Sequence, residues 1–458
     1  MTKGIAALVL TAASICAPFG SGARAGGVDN SSGGLTFDGI TLWGVIDMGV
    51  AHQTRGTPLN PDYYTGLEYV ISKNSGRSVT TIAPSGLSQS KVVLSGFEPF
   101  TGNKQLGEFA FVFKLETDFN PESVSLANSS QALVDNAGLP LNHQTTDADG
   151  NKNGQIFGGS AYGGVSSEKF GALTAGRQTS ALSDALYQYD PQMGSYAFSV
   201  LGYSGFIAGG GDTQDVRLDG TLKYSVSYGA VHGAALLQFP GVDGYAGGAQ
   251  QVTAGINYGS FAADFGYSHV ADAVSASSLT TAQIDNPLVP GNSLAATVSD
   301  NTAFAGMVKY TAKWVSLYGG YEHIIYTNPA HPLTNGFVDE GGYYVTSLLT
   351  TNNAYVDPRK VNVFWTGFRF PATSALTLSG AYYHPFQDSY RAGSACFSNV
   401  SAQCAGHEDA ISLVLDYRFN KNWDAYVGSM YSVVAGGMAN GFLSNETDGT
   451  MAGARFSF

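Results

Sequence analysis

The sequence predicts an all-β fold: one sixteen-stranded antiparallel transmembrane β-barrel with short turns at one end and long loops at the other. Three observations predict it. Apolar and polar residues alternate with period two in about sixteen segments of roughly ten residues, the length of a tilted bilayer crossing. Connections alternate short and long along the chain. Charges recur on the second face of strand after strand.

The alternation is clearest in GEFAFVFKLE (107–116), where Phe109, Phe111, Phe113 and Leu115 share one parity and Ala110, Val112, Lys114 and Glu116 the other. Before it come GITLWGVIDMGVA (39–51), with Ile40, Leu42, Ile46, Met48 and Val50 against Thr41, Trp43, Val45 and Asp47, and KVVLSGFE (91–98). After it, IFGGSAYGGVSS and KFGALTAGRQ form a pair with Glu168 at the turn, and VRLDGTLKYSVSYG and AVHGAALLQF are split only by a glycine. QQVTAGINYG and SFAADFGYSHV meet at a Gly-Ser turn, and TAFAGMVKYT precedes KWVSLYGGYEHIIY. VNVFWTGFRF and ALTLSGAYYH flank Pro371–Ser374, AISLVLDYRF and WDAYVGSMYSVV flank Asn420–Asn422, and GTMAGARFSF closes the series.

The short connections carry Gly, Asn or Ser, the chemistry of tight hairpins. The long ones run through 52–89, 120–155, 179–216, 271–302 and 327–360. A compact soluble domain rarely holds several such loops, whereas a membrane barrel carries them on one side by design. A soluble extracellular β-sandwich or β-helix is the alternative.

Which face meets oil follows from the charges. In AISLVLDYRF, Ile411, Leu413, Leu415, Tyr417 and Phe419 oppose Ser412, Asp416 and Arg418; in the sixth strand Leu222, Tyr224, Val226 and Tyr228 oppose Arg217, Asp219, Thr221 and Lys223. Charges repeated on one face are too costly to pack dry without full pairing. The sequence therefore predicts lipid outside and water inside. An open sheet in hydrocarbon would strand backbone groups on its edges, so the last strand must pair with the first.

Composition agrees. Charged residues make up 12% of 458, with 59 glycines and 12% aromatics, about half the usual charge of a soluble domain. The balance of −13, from 35 acids against 22 bases, argues against nucleic-acid binding. No apolar run reaches the length of a transmembrane helix. At the N-terminus, Lys3, an apolar run and Ala23-Arg24-Ala25 form a secretory signal cleaved after Ala25, leaving 26–458 as a single barrel domain. In that exported context Cys396 and Cys404 are expected to form a disulfide closing a short loop; a metal pair assisted by His407 is the competing reading.

Several stretches together resemble the general diffusion porins of Gram-negative outer membranes, most closely the family typical of β-proteobacteria. GITLWGVIDMGVA is similar to that family's opening T-L-Y-G-hydrophobic-D-x-G, with Trp43 for Tyr. SKVVLSGFEPF and FAFVFKLETDF resemble its second and third strands, Lys91 standing for an Arg and Lys114 for a Gln. KFGALTAGRQTS carries the G-R-Q of the fifth strand as Gly176, Arg177 and Gln178; LDYRFNKNWDAYVGSMYS and the final Phe456 and Phe458 resemble the family's C-terminal pattern. EPFTGNKQLG departs from its L-G-G-G-L turn.

The resemblance implies a homotrimer in outer-membrane lipid, with long extracellular loops, short periplasmic turns and a third loop, about 179–216, folded into each pore. That loop offers Asp184, Asp190, Asp212 and Asp215 and no base. By the family pattern it faces basic wall residues: Lys91, Lys114, Arg217 and Lys223, with Arg418 and Arg455 nearer the periplasmic end, and Glu116 beside them. Each is equally consistent with a solvated position above or below the constriction. Arg177 shares the parity of Leu173 and Ala175, so it joins the wall only where the strand ends or a bulge turns it. Trp43, Trp314, Trp423 and Tyr431 read as interface girdle residues.

The expected role is passive diffusion of ions and small hydrophilic solutes, without chemistry or cofactor. The acidic third loop points to weak cation preference. A selective porin for sugars or organic anions is the alternative, sugars being favoured if Tyr187, Tyr189, Tyr196, Phe198 and Tyr203 line the pore. A barrel hydrolase is the enzymatic alternative, but no H-E-x-x-H or G-x-S-x-G appears. DADGNKNG places Asp147, Asp149, Asn151 and Asn153 like the start of a calcium loop; Lys152 and Gly158 occupy the positions that need Gly and an acid, so a polar turn is expected.

Overall fold

A computed structural model describes residues 34–56, 77–100, 108–119, 121, 156–203, 207–209, 216–239, 248–277, 286–288, 293–332, 337–340, 343–390, 396, 401–440 and 444–458. The signal segment 1–25, Asp212, Asp215 and the Asp147–Asn153 stretch lie outside them.

Sixteen barrel positions follow one another around the wall. They are β1 (Ile40–Gly56), β2 (Lys91–Phe100), β3 (Phe109–Asp118), β4 (Ala161–Ser167), β5 (Gly171–Thr179), β6 (Arg217–Tyr228), β7 (Val231–Gln238) and β8 (Ala249–Tyr258). β9 (Phe261–Ser277), β10 (Ser293–Thr311), β11 (Ser316–Thr327), β12 (Arg359–Pro371), β13 (Leu376–Gln387), β14 (Gly406–Arg418), β15 (Trp423–Gly436) and β16 (Glu446–Ser457) complete it. Each pairs antiparallel with the next. The seam closes between β1 and β16, from Val45↔Ser457 to Gln53↔Gly449. Gly44 and Phe458 then exchange both backbone hydrogen bonds, 3.0 and 3.1 Å.

The faces fall as the alternation requires. Phe111, Leu222, Tyr224, Ile411, Leu413, Leu415 and Tyr417 are exposed on the outer wall; Lys114, Glu116, Thr221, Lys223 and Ser412 are buried inside. Among the described residues no helix is long and apolar enough to cross a membrane. Trp314 and Trp423 are exposed beside short turns, as a girdle requires, and Tyr431 is exposed on the outer wall.

Trp43 departs from the girdle expectation. It shares the inward parity of Asp47, and the ammonium groups of Lys91 and Lys114 lie 5.7 and 5.9 Å from its ring centroid. The wall also holds a strand within the expected 52–89 loop: Arg77–Pro84 pairs with the upper part of β1 and stands above β2 in the same wall position. Ser85, at φ +57°, turns the chain inward. Residues 85–90 are then buried inside the barrel before β2 begins.

Water does not fill the whole bore. The segment after β5 enters it, and helix α1 (Ala181–Gln188) packs Leu182 and Leu186 on the inner wall. One apolar cluster joins Leu182, Leu186, Tyr189, Phe198, Val200 and Leu201 to wall residues Ala303, Met307, Val363, Trp365, Val414 and Met430. The inner faces of β10–β15 carry apolar residues where the loop covers them, so parity alone misreports which face is wet there. Glycine makes the seat: a Cβ on Gly266 would lie 2.2 Å from the Leu182 side chain.

Candidate functional site

The inner loop runs along one half of the lumen. Ser180 caps α1 by accepting from the Ser183 amide at 3.0 Å, and Gln251 on β8 accepts from the Ala181 amide at 2.8 Å. The buried stripe of α1 leaves Asp184 half-buried and Gln188 exposed, four residues apart on one side. Beyond the helix, Tyr189 donates its hydroxyl to Asp264 on β9 at 2.6 Å, and its carbonyl accepts from the Trp365 indole at 3.0 Å. Burial and the Asp264 hydrogen bond push the Tyr189 phenol up from its ordinary value.

Asp190 is the pin of this loop rather than a charge presented to solvent. Its carboxylate accepts from the amides of Gln192 (3.1 Å) and Gly194 (2.7 Å) and from the hydroxyls of Ser199 (2.6 Å) and Tyr383 (2.5 Å). Full burial pushes its carboxyl up from the ordinary value; these four donors pull the other way. Arg369 donates to the Pro191 carbonyl at 3.0 Å, and Gln192 bridges Ser379 and Ser412 at 2.8 and 3.1 Å. The loop tip reaches the inward segment of residues 85–90, where the Gly86 carbonyl accepts from the Ala197 amide and the Ser195 hydroxyl. On the return, Ala208 donates to Glu322 on β11 at 2.8 Å, and Asn301 on β10 donates to the Gly209 carbonyl at 2.6 Å.

The opposite wall, β2–β6, carries the charges. Register sets Lys91 opposite Asp118 and Ser95 opposite Lys114. Glu116 is the hub: Lys114 contacts it directly, Arg217 donates to it at 3.0 Å and Lys91 lies at 3.5 Å. Arg217 also approaches Asp118 at 3.6 Å and donates at 3.1 Å to Gln89, which accepts from the Tyr196 hydroxyl of the loop. Three cations and two carboxylates thus pair where burial would leave a lone charge very costly. Lys223 pairs directly with Asp184, so loop and wall meet there without an intervening gap.

Arg177 sits at a slip in register. Between Gly176 and Gln178 the β5–β6 pairing shifts, so Arg177 opposes both Asp219 and Gly220, the latter at φ +59°. Arg177 is buried, donating to Asp219 at 2.9 Å and to the Gly158 carbonyl at 2.8 Å. Arg455 stands apart, near the short turns. It donates to Asp424 at 3.1 and 3.2 Å and to Ser88 at 2.8 Å, with Asp416 at 3.6 Å. Arg418, at the end of β14, is exposed.

Sequence reasoning missed several members of these groups. Asp118 continues the parity of Lys114 and Glu116 by two residues, a signal that was there to read. Lys309 and Arg369 share parity with Met307 and Trp365, residues that look lipid-facing until the loop is seated on them. Asp264 and Asp424 lie likewise on strands whose inner faces are mostly small or apolar. Tyr187, Tyr189, Tyr196 and Phe198 do not form rungs along the bore: all four are buried, in the core between loop and wall. Cys396 and Cys404 are disulfide-bonded, with Cα atoms 5.3 Å apart.

A barrel closed on itself, an inward third loop and a charged wall are now in place, and the profile described as Gram-negative porin matches residues 4–433. The chain belongs to the Gram-negative porin family. No curated protein sequence matches this porin significantly. Among solved structures, it is similar to an anion-selective porin from Comamonas acidovorans at 14% identity and TM-score 0.59, covering 92% of this chain and 99% of that one. OmpT, an outer membrane protein of Vibrio cholerae, aligns at 14% identity and TM-score 0.53, covering 93% and 100%. The outer membrane channel DcaP of Acinetobacter baumannii aligns at 12% identity and TM-score 0.52, covering 96% and 99%. At such identities the likeness speaks for the fold. The porin is a passive outer-membrane channel through which ions and small hydrophilic solutes diffuse.

Proposed function

We propose that this porin is a general diffusion channel of weak charge selectivity, assembled as a homotrimer and exported by a cleaved signal at residues 1–25. The observation that carries the selectivity is the pairing of the lumen charges. Asp184 is neutralised by Lys223, Asp190 is sealed within the loop, and Lys91, Lys114 and Arg217 surround Glu116 and Asp118. On the β2–β6 wall and at the loop acids that face it, little uncompensated charge of either sign is left to impose the strong field that a selective filter needs. The weak cation preference suggested by an acidic loop loses two of its four acids in this arrangement, and Asp212 and Asp215 lie outside the described residues.

Solutes pass, on this reading, along the solvent side of the inner loop, marked by Asp184, Gln188 and Met193, and past the half-buried Lys309 and Arg369. Burial of Tyr187, Tyr189, Tyr196 and Phe198 argues against a sugar ladder; the side chain of Tyr203 lies outside what the structure describes. Trimerisation is supported by the family and by the trimer form of OmpT from Vibrio cholerae. No catalytic role is proposed. The test is the zero-current potential of the purified protein in a planar bilayer under a KCl gradient. A value close to zero is expected; one near the ideal limit for either ion would contradict weak selectivity.

A further inference from the structure

We infer that the short-turn exit of the pore carries a binding site for small divalent oxyanions such as sulfate, formed by Lys309 and Arg369. The inference rests on the channel reading and adds a solute class to it. Lys309 on β10, Tyr318 on β11 and Arg369 on β12 share the inward parity of Met307, Glu322 and Trp365. Register sets Lys309 opposite Tyr318 and Arg369 opposite Ser316, so the two cations stand on either side of Tyr318. Each lies two residues short of its strand's end, where a short turn follows.

The inner loop seats both heads. The Lys309 ammonium lies 5.6 Å from the Tyr189 ring centroid, and Arg369 Nη1 donates to the Pro191 carbonyl at 3.0 Å. Between those two loop residues stands Asp190, whose hydrogen bonds to Tyr383 and Ser199 hold the backbone in place. One fixed stretch of chain therefore positions two cations that come from strands about 10 Å apart. Lys309, Tyr318 and Arg369 are all half-buried, so each keeps a solvent-facing side.

Among the described residues neither cation forms an ion pair, unlike Lys91, Lys114 and Arg217 on the opposite wall. The carboxylates that act on them from farther off are Asp264 for Lys309, and Asp416 and Asp190 for Arg369. All three are engaged elsewhere. Asp264 accepts from the Tyr189 hydroxyl at 2.6 Å and lies 2.9 Å from His232 Nε2, Asp416 lies 3.6 Å from Arg455, and Asp190 is sealed by its four donors. The Lys309 ammonium and the remaining N–H groups of Arg369 are left for a ligand. A guanidinium fork and an ammonium are the donors that oxyanions take. Two cations attract a dianion about twice as strongly as a monovalent ion of the same size. Nitrate has the oxygens but only one charge. Sulfate has both.

The experiment adds potassium sulfate or potassium nitrate on the short-turn side of single channels in KCl, at matched ionic strength, and expresses any loss of current as a fraction of each variant's own. In the wild type, sulfate is expected to reduce the current in a saturable way at concentrations where nitrate does not. Lys309→Gln removes one charge without touching the Pro191 anchor and should raise the half-blocking sulfate concentration by about tenfold or more. Arg369→Gln should raise it as well, and Arg369→Lys, which keeps the charge, should raise it less. Equal losses with sulfate and nitrate, or a half-blocking concentration unchanged in both Gln variants, would overturn the site while leaving the channel standing. A wild type that passes no KCl current would overturn the channel reading and the site with it.

Discussion

Asp47 on the first strand faces Arg455 on the last, directly opposite across the seam that closes the barrel. The carboxylate of Asp47 accepts from the Leu87 and Ser88 amides at 2.9 and 2.8 Å and from the Tyr426 hydroxyl at 2.6 Å. Arg455 binds the Ser88 hydroxyl and Asp424. Seam, inward segment and β15 are thus locked at one point. Arg455→Met should destabilise the folded barrel by about 3–5 kcal/mol, because Asp47, Asp416 and Asp424 lose their common counter-charge. Denaturant unfolding in detergent micelles, followed by circular dichroism, measures it.

The Asp184–Lys223 pair joins loop to wall, so either partner sets the sign of local charge. Asp184→Asn should move the zero-current potential in a KCl gradient toward anion preference, and Lys223→Gln toward cation preference. Asp190→Asn, by contrast, alters a sealed carboxylate and should leave the sign unchanged. Comparing the three variants separates a charge that solutes sense from one that holds the loop.

Asp190 predicts the mechanical behaviour of the loop. Asp190→Ala leaves four donors without their acceptor, each unsatisfied group costing about 1–3 kcal/mol. The loop should detach from β12–β14, giving larger and noisier single-channel currents. Tyr383→Phe removes one of those bonds at a cost of about 1 kcal/mol and should give a milder form of the same noise.

Reducing the Cys396–Cys404 disulfide frees a loop with a sequence separation of 8, a constraint worth about 2–3 kcal/mol by loop-closure entropy. The loss falls on residues packed at the mouth and not on the strand ladder. Reduction should leave the barrel's unfolding transition in place while making the segment around Gln403 more accessible to protease, which circular dichroism and limited proteolysis of the reduced and oxidised protein check.

Most of the barrel was legible in the sequence because the outer wall is mainly apolar: Phe111, Leu413 and Leu415 betray their strands and their lipid side together. The Lys91, Lys114, Glu116 and Arg217 group was legible for the complementary reason, since a charge recurring on the other parity has few places to go. The other half of the lumen was not. Trp365 and Met307 face inward and look like lipid contacts because their partner, the inner loop, comes from far away in the chain. The same tertiary contact hid the work of Asp190, which reads as one more loop acid until Tyr383 and Ser199 are brought to it. Arg177 turned on a single extra residue opposite it, which alternation alone cannot locate.

The central claim is that a continuous water path remains between the seated loop and the charged wall. Single-channel recording of the purified wild-type protein in a planar bilayer tests it most directly. Discrete current steps, linear in voltage and rising in proportion to KCl concentration, are the predicted result. A bilayer that stays electrically silent with folded protein inserted would contradict the claim.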